Sequence, residues 1–157
     1  MARHVFFSFH YQQDIFRVNQ VRNSNVIVGH AAAGFVDASL WERARNTSDA
    51  AVKKLINDGL VGTSVTVVLI GMHTAARRFV NYEIEQSIAR GNGLVGVRIH
   101  HLFAPRQSTN LAGPVPAKLA AGGYPVHTWR DNPADLGTWV EAAYQQAQRV
   151  RLLRGAF

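Results

Sequence analysis

The run Ser64-Val65-Thr66-Val67-Val68-Leu69-Ile70 constrains this chain more than any other feature. It is β-branched and almost continuously apolar, which fits a strand covered on both faces, the condition of a central strand in a parallel sheet. Parallel neighbours need long crossovers, usually helices, and the flanking sequence supplies them. His4 to Phe9 reads as a short buried strand, and Asp14 to Arg22 follows with Ile15, Val18 and Val21 or Arg22 at helical spacing. Asn25 to Val28 reads as a brief second strand and residues 29–47 as a long loop. Ser48-Asp49 opens a helix with Ala51, Val52, Leu55 and Ile56 on one face, ending at Asp58-Gly59.

After the central run, Thr74 is placed to cap a helix that reaches Arg90 before Gly91-Asn92-Gly93. Leu94 to Ile99 is a fourth strand, residues 103–123 an irregular excursion, and Pro125 to Trp129 a fifth strand. Asp131-Asn132-Pro133 opens a last helix ending near Arg154. The alternation predicts an α/β fold of flavodoxin-like type, a five-stranded parallel sheet in the order 2-1-3-4-5 with helices on both faces. Residues 1–157 make a single domain. In such sheets the ligand crevice opens at the carboxyl ends of the strands, where strand order reverses between strands 1 and 3. The loops after Phe9, Val28 and Ile70 therefore converge on one site.

Composition narrows the chemistry. A chain that is 47% apolar and 17% charged folds as a globule rather than staying disordered. It has no cysteine, which excludes disulfides, zinc ribbons, iron–sulfur clusters and thiol nucleophiles. No stretch reaches the ~18 apolar residues of a membrane span, and the N-terminus lacks a secretory pattern, so a cytoplasmic protein without a membrane partner is expected. Lys and Arg number 17 against 10 Asp and Glu, and only Lys53, Lys54 and Lys118 are lysines. Arginine suits phosphates and carboxylates, yet only Arg149, Arg151 and Arg154 cluster, and no nucleic-acid partner is expected.

Several machineries are missing. No GxGxxG, GxxxxGK[ST] or GxSxG occurs. No aspartate follows strands 1 and 3, as phosphoryl acceptance would need. His100 and His101 point to opposite sides if the strand continues, and no HxxxH or HxH pair is present, so no metal is expected. His10 and His73, which follow strands 1 and 3, either border the crevice or are ordinary polar loop residues.

The helix after strand 3 carries Val80, Ile84 and Ile88 as its buried stripe at i, i+4, i+8, with Glu83 and Glu85 on opposite flanks. Only one of them can readily face a crevice. From composition alone, a helix glutamate reads first as a solvated charge. Arg77-Arg78 in the first turn opposes the helix dipole unless solvent or an anionic ligand offsets it. In the loop Ala33 to Trp41, Phe35 and Trp41 stand beside Asp37 and Ser39, a pairing that either pins the loop to the core or offers stacking and hydroxyl recognition to a nucleoside.

Two boxes resemble TIR domains. His4-Val5-Phe6-Phe7-Ser8-Phe9 is similar to their first-strand box, and Phe79-Val80-Asn81-Tyr82-Glu83 to their Trp-Cys-x-x-Glu box, with Phe-Val in place of Trp-Cys. The stretches Phe35 to Trp41, Lys53 to Gly71 and Gly91 to His100 resemble more closely the TIR-like family of bacterial Thoeris anti-phage systems. The resemblance covers about His4 to Leu102.

It implies an enzyme that consumes NAD+ as substrate, without a separate cofactor. Such an enzyme releases nicotinamide and makes a cyclic ADP-ribose-type signal that activates a partner effector after a phage component triggers it. By motif position Glu83 is the catalytic residue. Ser8, Phe9 and His10 at the end of strand 1 are expected to bind substrate, with Phe9 walling the nicotinamide half; Asp37, Ser39 and Trp41 join them from the character of their loop and not from a shared box, and Arg77 or Arg78 either meets the pyrophosphate or is a surface arginine. TIR domains often complete their sites between protomers, so assembly of copies is also implied. The alternatives are a non-catalytic TIR scaffold acting by homotypic contacts and a nucleotide sensor without turnover.

Overall fold

A computed structural model describes residues 3–22, 48–105 and 111–155. Its strands are β1 (Val5–Ser8), β2 (Val65–Ile70), β3 (Gly93–Arg98) and β4 (Val126–Thr128). Its helices are α1 (Tyr11–Arg22), α2 (Asp49–Leu60), α3 (Arg78–Arg90), α4 (Ala117–Ala121) and α5 (Pro133–Gly155), with a 3-10 turn at Thr74–Ala76. The four described strands are all parallel and lie in the order β1-β2-β3-β4. The sheet thus has four described strands where five were expected. The segment Asn25 to Val28, read as a second strand, lies outside the described residues, as do Asp37, Ser39 and Trp41.

The β-branched run becomes β2, buried along its whole length. Side chains alternate across the sheet. Phe7, Val65, Val67, Leu69, Val95 and Val97 face α1 and α5, where they meet Val18, Val21, Leu136 and Val140. Val68, Ile70 and Leu94 face the other way, against Val80 and Ile84 of α3 and Leu119 of α4, while Phe6 meets Val52, Ile56 and Leu60 of α2. Ser8, two residues after Phe6, shares the α3 side. Close approach is achieved by glycine at Gly93, where a Cβ would stand 2.4 Å from Ala143 O of α5.

Local corrections have physical causes. Helix α1 starts at Tyr11, earlier than expected, and α2 runs on to Leu60, past Asp58-Gly59. Ser48 does cap α2, accepting from Ala51 N at 3.1 Å. Thr74 does not cap α3, because its hydroxyl accepts from Gly71 N at 2.8 Å and holds the turn after β2. Helix α3 starts at Arg78, with Arg77 as its N-cap and no side-chain cap. The excursion over residues 103–123 contains α4, nucleated around the buried Leu119. His100 and His101 follow the end of β3, so strand alternation does not separate them; their rings meet edge to face at 5.3 Å.

A buried ion pair braces the carboxyl end of the sheet. Asp14 and Arg17 of α1 are fully buried, with Arg17 Nη1 donating to Asp14 Oδ1 at 3.0 Å. Arg17 Nε donates to Leu102 O at 2.9 Å, beyond β3. The other Asp14 oxygen abuts Gly71, where an added Cβ would overlap it. The pair therefore ties α1 to the segments that follow β2 and β3. Burial raises the Asp14 pKa, and the hydrogen bond and charge of Arg17 pull it back.

Removing one partner of such a pair leaves a buried charge and costs roughly 3–5 kcal/mol. Arg17→Met should lower unfolding free energy by that order, read from urea denaturation. A loss under about 1 kcal/mol would show that the pair does not brace the fold.

Candidate functional site

The cleft lies at the carboxyl end of β1. Its walls are Phe9, His10, Tyr11 and Gln12 from the β1–α1 turn and the first turn of α1, and Arg77, Phe79, Val80 and Glu83 from the start of α3. The positive end of the α1 dipole and the Arg77 side chain favour anionic groups here, while the carboxyl of Glu83, once ionised, favours a cationic one. The enclosed space is only about 20 Å³, near the volume that one water needs. Any larger ligand requires side chains such as Phe9, Phe79 or Arg77 to move.

Glu83 is where the geometry departs most from the sequence pattern. The face of α3 turned to the sheet is Val80, Glu83, Ile84 and Ser87, an i, i+3, i+4, i+7 set. Ile88, expected in that stripe, is 37% exposed, and Ser87 takes the inward place. Ser87 Oγ donates to Glu83 O and lies 2.7 Å from Thr66 Oγ1 of β2. These polar contacts seat the helix on the strand immediately below the carboxyl. Glu83 is therefore not on a flank of the stripe but within it, 7% exposed.

Burial drives the Glu83 pKa from its ordinary 4.5 up to about 8, and the Ser8 hydroxyl opposite it offsets part of the rise. The hydroxyl stands near enough to lower the carboxyl pKa, yet among the described residues neither Ser8 Oγ nor Glu83 Oε2, both buried, has a well-formed hydrogen bond. A buried carboxyl whose pKa is raised this far is expensive for stability, and such groups are common at reaction centres.

Glu85 is half exposed and ion-paired to Lys118 of α4. Arg78 is exposed, paired to Asp49 at 2.8 Å and stacked on Phe79. The structure thus brings Ser8, Phe9, His10, Arg77 and Glu83 together. His73 is exposed and does not line the cleft, and Asp37, Ser39 and Trp41 are outside the described residues. Tyr11, Gln12, Phe79 and Val80 line the cleft without having been singled out as binding residues. An earlier start for α1 would have placed the first two at the crevice. Among the described residues no group of acidic or histidine side chains could hold a metal ion, and no helix is long and apolar enough to cross a membrane.

Over residues 6–103 the chain matches the family described as Thoeris protein ThsB, TIR-like domain. It is also 53% identical over 118 residues to a Bacillus cereus (strain MSX-D12) protein named "Putative cyclic ADP-D-ribose synthase ThsB1". The match takes in 74% of this chain and 62% of that relative's length.

The raised pKa fixes the sign of a pH effect. Between about pH 4.5 and 8 the folded protein keeps a proton on Glu83 that the unfolded chain gives up. Stability from this group is therefore full below the lower value and falls as pH rises towards the upper one, by at most ~1.4 kcal/mol per unit. Urea denaturation across that range should show wild type weakening relative to Glu83→Gln, with the difference levelling off above about pH 8. Parallel profiles for the two proteins would mean that the carboxyl ionises normally.

Proposed function

The chain belongs to the Thoeris ThsB TIR-like family, and from that premise we propose that it cleaves the nicotinamide–ribose bond of NAD+ and forms a cyclic ADP-ribose-type product. The observation that carries this reading is the buried Glu83 carboxyl at the cleft mouth, walled by Phe9 and Phe79. The scissile bond joins ribose to a cationic ring, and nicotinamide departs neutral, so one carboxylate suffices where ordinary glycosidases use two.

In the empty cleft at neutral pH, Glu83 is largely protonated, as its raised pKa requires. Entry of the nicotinamide cation favours the ionised form, and the proton leaves to solvent. The carboxylate then holds the ribose hydroxyls and stabilises the oxocarbenium-like transition state, whose charge develops next to it. Ser8 turns its hydroxyl to the newly formed charge. Phe9 walls the nicotinamide, and Arg77 with the α1 N-terminus meets the pyrophosphate. A dry, closed site favours attack by a group of the same molecule over attack by water, and so cyclisation over hydrolysis. The product would signal to a partner effector in the cytoplasm after a phage trigger, and the site would be completed by assembly of copies.

The tightness of the cleft favours a second reading, a scaffold or nucleotide sensor without turnover. Incubating the protein with NAD+, with and without phage lysate, and resolving products by chromatography separates the two. Glu83→Gln should lower nicotinamide release at least 100-fold while Glu85→Gln stays within a few-fold of wild type, the size of effect that removal of one electrostatic stabiliser produces (~10²–10³). Equal turnover by Glu83→Gln and wild type would remove Glu83 from the chemistry. Nucleotide binding without turnover under any trigger would establish the sensor.

A further inference from the structure

A second cavity lies at the other end of the sheet, by the amino end of β3. It encloses about 270 Å³ between the C-terminal turn of α3, the Gly91–Leu94 segment and the last turns of α5, close to the lower end of the ~300–1,000 Å³ typical of small-molecule sites. One part of its wall is apolar and aromatic: Ile88, Leu94, Tyr124 and Val150. The other is cationic: Arg151 and Arg154. It shares no lining residue with the Glu83 cleft.

The two arginines are differently held. Arg151 Nη2 donates to Arg90 O and Gly91 O at 3.1 and 3.0 Å, the carbonyls that end α3. Those bonds orient the exposed guanidinium and leave its Nε and Nη1 without a hydrogen-bond partner among the described residues. Gly91, with φ +77, has no Cβ to displace it; one built there would stand 2.9 Å from Arg151 Nε. Arg154, one turn further along α5, forms no ion pair or hydrogen bond among the described residues, and Arg151 forms no ion pair. Exposed positive charge thus stands at a partly apolar cavity, with no carboxylate paired to it among the described residues, in a chain of net charge +7.

We propose that this cavity is a second ligand site, which takes a small organic phosphate of nucleoside monophosphate size. The planar body would lie against Tyr124 and the aliphatic wall, and the phosphate would be gripped by the open edge of Arg151 and by Arg154. Arginine forks match phosphate oxygens in pairs, and an aromatic wall suits a flat ring. A bare anion would leave the apolar wall unused, and an uncharged nucleoside would leave both guanidiniums unanswered.

Isothermal titration of the full chain with AMP, adenosine and inorganic phosphate tests the proposal, with thermal unfolding confirming that each variant is folded. AMP should bind at least tenfold more tightly than adenosine or phosphate. Arg154→Gln should weaken AMP at least tenfold, Ala147→Trp, which fills the cavity, should abolish its binding, and Glu83→Gln should leave it unchanged. Absence of AMP binding, or binding indifferent to both Arg154→Gln and Ala147→Trp, overturns the proposal. So does phosphate binding as tightly as AMP, which would reduce the site to a bare anion contact. Weakening by Glu83→Gln alone would put the nucleotide in the catalytic cleft and overturn it too. Because none of these readings depends on NAD+ turnover, the second site and the proposed reaction fail separately.

Discussion

A carboxyl group occupies a place in the interface between α3 and the sheet where an apolar side chain would stabilise the fold. Val80, Ile84 and Ser87 share its stripe, and only Glu83 brings an ionisable group into it. Buried polar groups are ordinarily paired, yet neither Glu83 Oε2 nor the nearby Ser8 Oγ has a well-formed hydrogen bond among the described residues. The parts around them hold this arrangement in place. The fully buried β2 fixes the sheet, the Ser87–Thr66 contact seats α3 on it, and the Asp14–Arg17 pair holds α1 and the following turns at the same end. The stability lost at one residue is offset by burial elsewhere, the pattern expected where a protein keeps a group ready for chemistry.

The two ends of the sheet are lined by different side chains. At the carboxyl end, a cleft walled by aromatics holds one reluctant acid. At the amino end, a larger cavity carries Arg151 and Arg154, which form no ion pair among the described residues. A reaction whose substrate brings a cationic ring suits the first, and an organic phosphate suits the second. Both sit beside α3, the first near its start and the second at its C-terminal turn, so this helix links them physically.

Much of this was legible in the residues. The β-branched run could only be a doubly covered strand, and Ser48 could be recognised as a cap from its position before an apolar-periodic segment. Glu83 stood out through the resemblance of Phe79 to Glu83 to a known box, not through spacing. Spacing alone chose Val80, Ile84 and Ile88, because an apolar residue was preferred to Ser87 at the inward position. The real stripe included two polar residues, Ser87 bonded to Thr66 and Glu83 buried beside the cleft. The Asp14–Arg17 pair was hidden for the same reason: charged residues on a helix read as surface until tertiary packing buries both together. Thr74 looked like a helix cap, but its hydroxyl was taken by Gly71 N.

In the proposed mechanism Glu83 is neutral in the empty cleft and becomes charged when a nicotinamide cation arrives. Carboxyl carbon chemical shifts of labelled glutamate, followed by NMR over a pH titration and assigned with Glu83→Gln, report this directly. A midpoint near 8 is expected in the free protein, with a fall well below that value when a non-hydrolysable NAD+ analogue is bound. A midpoint near 4.5 in the free protein, or one that the analogue does not move, would contradict it.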